Sequence, residues 1–93
     1  MAAAQAILSF DEFVELLRER LFDADALFPS NAHSFRGLMS DYADVTPQAW
    51  YQQAFEELHA LGHIGIEANG MGLDCHARLS ADGRLYVRQS RER

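Results

Sequence analysis

The sequence predicts a small α+β domain in which helices precede a β-hairpin and a short helix closes the chain. Three observations carry that prediction. Residues 46–64 contain a helix start signal, an apolar helical stripe and a glycine stop, followed at once by strand-like residues. Asn69-Gly70 then stands between two alternating apolar runs, the pattern of a hairpin turn. Ser80-Ala81-Asp82-Gly83 finally offers a fresh helix cap.

Taken in order, residues 1–8 form a flexible lead-in and residues 9–93 one domain. Ser9 and Glu12 have the spacing of a capping box, each side chain satisfying an orphan backbone donor of the first turn. Leu8 and Phe13 are placed for a hydrophobic staple across that cap. Phe10, Phe13, Val14, Leu17 and Leu21 follow at helical spacing. Asp11, Glu12, Glu15, Arg18 and Glu19 fall on the opposite face, and the helix is expected to end near Phe22. A second helix is expected from a cap at Ser30 or Asn31, with Phe35, Leu38, Met39 and Tyr42 turned inward. Gly37 lies within it and suggests a close approach of another helix.

The third helix has the clearest signals. Thr46 is placed as N-cap, Pro47 as first helical residue and Gly62 as stop. Trp50, Tyr51, Ala54, Phe55, Leu58 and Leu61 make its inward face. Beyond Gly62 the period becomes two, with Ile64, Ile66 and Ala68 on one side of a strand. Leu73, Cys75, Ala77 and Leu79 do the same on the return strand. The last segment reads as a helix capped at Ser80 in preference to a third strand from Arg84 to Gln89.

Composition narrows the function. The chain has 93 residues, 48% of them hydrophobic and 24% charged, which is ordinary for one globular domain. Its net charge is -6, and every one of its 8 basic residues is arginine. Residues 1–62 hold three arginines against ten carboxylates, a net of -7, whereas residues 63–93 hold five against four, a net of +1. A polyanion would therefore have to use the C-terminal third. No run reaches the roughly 18 to 20 apolar residues that span a bilayer, and the apolar lead-in lacks the basic start of a signal peptide. The single Cys75 rules out an internal disulfide and fits a reducing compartment. A cytoplasmic protein without a membrane partner is the expectation.

The segments Ala43-Asp44-Val45-Thr46-Pro47, Phe55 through Ile64, and Leu79-Ser80-Ala81-Asp82-Gly83-Arg84 carry a resemblance. Residues 39–87, about half the chain, resemble the helix-turn-helix and wing of small bacterial winged-helix proteins. The helix-to-wing junction and the entry to the last helix are similar to those of the multidrug-resistance regulator group. The resemblance implies a winged helix: a three-helix bundle, a β-hairpin wing and a short C-terminal helix. It also implies DNA binding as the common activity of such folds, with protein binding as the main exception.

The exposed residues favour the exception. In a DNA-binding winged helix the outer face of the third helix enters the major groove. Here that face carries Gln48, Gln52, Gln53, Glu56, Glu57 and His59 with no arginine or lysine, so carboxylates would meet phosphates uncompensated. The expectation is a non-enzymatic module that recognises a protein, or associates with itself, through Gln48, Gln52, Gln53, Glu56, Glu57 and the apolar wing-tip residue Met71. The alternative is a DNA-binding transcriptional regulator, homodimeric in the usual manner, using Gln48, Gln52, Arg78, Arg84 and Arg88. It requires those arginines to gather in one exposed patch beside the third helix.

Other chemistry is weakly signalled. His59 and His63 have a ligand-like spacing of four, but Gly62 interrupts the helix between them, so no metal site is assigned. Cys75 and His76, adjacent on a strand, point to opposite faces and cannot pair as nucleophile and base. Gly62, Gly65, Gly70 and Gly72 precede no helix, as a phosphate loop would require. Asp23 and Asp25 read as loop carboxylates. No cofactor and no catalytic residue is expected.

Overall fold

A computed structural model describes residues 8–29, 32–65 and 75–93. The first helix, α1 (Phe10–Leu27), opens on the expected capping box. The Glu12 amide donates to Ser9 Oγ at 3.1 Å and the Ser9 amide donates to Glu12 Oε1 at 2.9 Å. Phe13, Val14, Leu17 and Leu21 are buried as the spacing requires, and Leu8 packs against the core cluster that contains Phe13.

Two features of α1 correct the sequence expectation. The helix runs five residues past Phe22, and Arg18, assigned to the solvent face, is only 3% exposed. Distant partners explain the added length. Asp25 in the last turn meets Arg78 at 3.9 Å and Arg84 at 3.6 Å, and Asp23 meets Arg91 at 3.0 Å. Cations from the other end of the chain thus hold a segment that reads locally as an acidic loop.

The second helix is shorter than expected. A two-residue strand, β1 (His33–Ser34), takes the residues placed at its start, and α2 covers only Phe35–Leu38. Ser34 is the cap, accepting the Gly37 amide at 3.2 Å. The Phe35 amide donates to the Cys75 carbonyl at 2.9 Å, so the sheet pulls this stretch out of helical geometry. A 3-10 segment follows, Ser40–Val45. Arg20 donates to the Leu38 carbonyl at 2.8 Å and pairs with Asp41, so it satisfies an oxygen that the helix end leaves free. Gly37 is exposed, and a Cβ there would meet only Ser34, at 3.6 Å; close helix approach is not its reason.

The third helix, α3 (Ala49–Ala60), starts later than the sequence suggests. Thr46 is not its cap, because the hydroxyl donates to the Tyr42 carbonyl at 2.8 Å. Tyr51, Ala54, Phe55 and Leu58 are buried, Trp50 is half-buried against Phe10 and Phe13, and Leu61 is 49% exposed instead of inward. Gly62 adopts φ 74° and ends the helix in a Schellman motif. Its amide donates to His59 at 3.0 Å, and the His63 amide donates to Leu58 at 2.9 Å.

Strands β2 (Ile64–Gly65) and β3 (His76–Leu79) pair antiparallel, Ile64 opposite Leu79 and Gly65 opposite Arg78. β1 joins the other edge of β3, His33 opposite Ala77, to give a three-stranded sheet of order β1-β3-β2. Ile64, Cys75, Ala77 and Leu79 face the core together with α1, α2 and α3. The Asn69-Gly70 turn and Met71 lie outside the described residues. The final segment is a helix, α4 (Ala81–Arg91), which packs on α1 and β3. Ser80 caps it, accepting the Gly83 amide at 3.1 Å while its hydroxyl donates to the Gly62 carbonyl at 2.6 Å. Among the described residues no helix is long and apolar enough to cross a membrane.

Candidate recognition surface

Helix α3 buries one side, so its remaining polar residues form one continuous outer face. Gln48, Gln53, Glu56 and Glu57 are exposed and Gln52 is half-buried. Gln52 reaches Glu56, four residues on, with Nε2 3.4 Å from Oε2. The face is therefore built from amides and carboxylates, as its sequence requires.

Arg78 and Arg84 come together, but at the C-terminal end of α1. Both approach Asp25, which is 8% exposed, and Arg78 also donates to the Pro29 carbonyl at 2.7 Å. Arg84 donates to the Leu79 carbonyl at 3.1 Å. A carboxylate at the centre of this pair lowers its field toward an external anion. Arg88 lies one helical turn beyond Arg84, exposed, its side chain making no hydrogen bond or ion pair among the described residues.

A second feature was not legible from the sequence. The N-terminal half of α1, the end of α3 and α4 enclose a cleft of about 340 Å³, lined by Asp11, Val14, Glu15, Arg18, Glu57, Leu61, His63 and Tyr86. At its base the Arg18 guanidinium lies 4.1 Å from the centroid of the Tyr86 ring and 3.1 Å from Glu15 Oε2. The Tyr86 hydroxyl donates to the same carboxylate oxygen at 2.7 Å. These contacts compensate a guanidinium that would otherwise be costly to bury. The His63 ring lies 4.9 Å from that of Tyr86. Loss of water around His63 holds its pKa below the usual histidine value, and the Arg18 charge pushes the same way. Arg18 Nε and His63 Nδ1 are buried without a hydrogen-bond partner.

The cleft draws on residues 11, 57, 63 and 86, whose proximity no local pattern encodes. Its only sequence signal is Arg18, one position from Leu17 at the edge of the apolar stripe of α1. His59, the other member of the histidine pair, stacks on Phe55 at 6.4 Å, away from the cleft lining. Among the described residues no group of three or more His, Cys, Asp or Glu side chains is placed to hold a metal ion. No family model, no curated protein and no solved structure matches this chain.

Proposed function

We propose that the chain is a winged-helix-like module that acts without catalysis, recognising another protein through the outer face of α3. The order helix, strand, helix, 3-10 segment, helix and two paired strands, with β3 central, is compatible with that fold. Met71 belongs to the proposed surface on its sequence alone. The observation that carries the reading is the distribution of charge. The groove-entering helix of a DNA reader here presents Gln48, Gln52, Gln53, Glu56 and Glu57, while Arg78 and Arg84 approach Asp25. An acidic, amide-rich face complements a basic protein surface and repels phosphate.

Two measurements test it together. A labelled mixed-sequence duplex, titrated at low salt, is expected to give no saturable anisotropy change. Binding that weakens steeply with salt would instead establish a DNA-binding regulator. In parallel, a protein captured by the wild type and lost on Glu56→Lys with Glu57→Lys supports the proposed surface. Equal capture by both removes it. Sedimentation of the free chain identifies self-association as the source of any capture.

A further inference from the structure

We infer that the cleft between α1, the end of α3 and α4 receives the arginine or lysine side chain of a partner polypeptide. The inference rests on the reading of α3 as a protein-recognition face and names what the partner presents there.

The volume comes first. About 340 Å³ is at the lower end of the roughly 300–1,000 Å³ of small-molecule clefts and leaves room for one long side chain. Its lining is of two kinds. Val14, Leu61 and the Tyr86 ring supply apolar surface, with Leu61 49% and Tyr86 36% exposed. Asp11, Glu15 and Glu57 supply three carboxylates against the single cation of Arg18. A long aliphatic stem ending in a cation matches both, as the stem covers apolar surface while the head stays at the polar rim.

The carboxylates are not equivalent. Glu15 already accepts from Arg18 and Tyr86. Asp11 on α1 and Glu57 on α3 are exposed, and their side chains make no hydrogen bond or ion pair among the described residues. They line the cleft from different helices and are available to an incoming cation. The competing charge of Arg18 is buried beneath Tyr86 and against Glu15, which reduces its repulsion at the mouth.

Two features select a polypeptide over a free polyamine. Glu57 belongs both to the cleft and to the outer face of α3, so an occupant leaving the cleft runs onto Gln53 and Glu56. Glutamine amides both donate and accept, which suits a peptide backbone. Arg18 Nε, buried at the base without a hydrogen-bond partner, favours an occupant that brings an acceptor as well as a cation, which a peptide does. A polyamine in its charged form brings donors alone.

The test is an amide NMR titration of the full chain at low salt with acetyl-Gly-Arg-Gly-amide. Its citrulline counterpart, of equal shape but uncharged, and spermidine serve as the comparison probes. Saturable shifts centred on Val14, Glu57, Leu61, His63 and Tyr86 are expected. Citrulline, or Asp11→Asn with Glu57→Gln in an otherwise unchanged spectrum, should weaken binding on the order of fivefold or more. Shifts confined to Gln52, Gln53 and Glu56 would overturn the cleft inference and leave the α3 reading standing. Spermidine binding as tightly as the arginine peptide would overturn the choice of a polypeptide. Absence of saturable shifts with the arginine peptide would overturn the inference, whereas capture by Glu56→Lys alone, a residue outside the cleft lining, decides the α3 reading separately.

Discussion

Replacing Gly83 by alanine should destabilise the protein although alanine is the better helix former. An added Cβ would lie 2.2 Å from the His63 carbonyl oxygen and 2.8 Å from Leu79 Cδ2. The first turn of α4 would have to retreat by roughly 1 Å to restore van der Waals distances. That movement pulls on two contacts, Ser80 N to His63 O at 2.9 Å and Ser80 Oγ to Gly62 O at 2.6 Å. Overpacking of this kind costs about 1–3 kcal/mol, and weakening the two hydrogen bonds adds on the order of 1 kcal/mol. The gain in helix propensity returns about 1 kcal/mol. A net loss near 2 kcal/mol lowers the melting temperature by roughly 8–16 °C in a domain of this size. Gly37→Ala is the internal control, because its Cβ meets nothing closer than Ser34 at 3.6 Å; it should leave stability unchanged or slightly raised. Thermal melts followed by circular dichroism read both variants. A Gly83→Ala melting temperature equal to or above the wild type would refute the close-packing argument.

Two further outcomes follow from the charged groups. Asp25→Asn removes the carboxylate between Arg78 and Arg84, whose side chains are 36% and 37% exposed and can be rehydrated. The expected loss is about 1–2 kcal/mol by denaturant melts. An unchanged unfolding midpoint would show that Asp25 does not hold the two cations. His63 has a lowered pKa in the folded state, so the unfolded chain takes up its proton first on acidification. Its contribution to stability is present above the unfolded histidine pKa near 6.5 and is lost as pH falls from there toward the folded value. Comparing melts of wild type and His63→Gln across that window should show a steeper loss in the wild type; parallel profiles would exclude His63 as the source.

Helix boundaries were legible at three places where a cap side chain or a left-handed glycine closes a local ring of hydrogen bonds. Ser9 with Glu12, Gly62 as the stop of α3 and Ser80 with Gly83 all work within a few residues, and the structure places them as the sequence does. The last turns of α1 and the strand β1 depend instead on partners some fifty residues away. Two residues of strand have no periodicity to detect, and Asp25 looks like a loop carboxylate until Arg78 and Arg84 are brought to it. Thr46 failed as a cap because its hydroxyl found a carbonyl behind it before an amide ahead. On the candidate surface, the outer face of α3 followed directly from helical spacing. The cleft did not, because burying Arg18 requires a tyrosine from the far end of the chain.

Ser80 has a single proton, given to the Gly62 carbonyl, and a lone pair that receives the Gly83 amide. One hydroxyl therefore ties the place where α3 stops to the place where α4 begins. Each residue advances a helix by about 100°. If α3 ended one residue earlier or later, α4 would start in a different rotational phase. Tyr86 would then turn away from Glu15 and Arg18, and another side chain would form that wall. The length of one helix thus acts as the setting of a dial whose pointer is a residue on another.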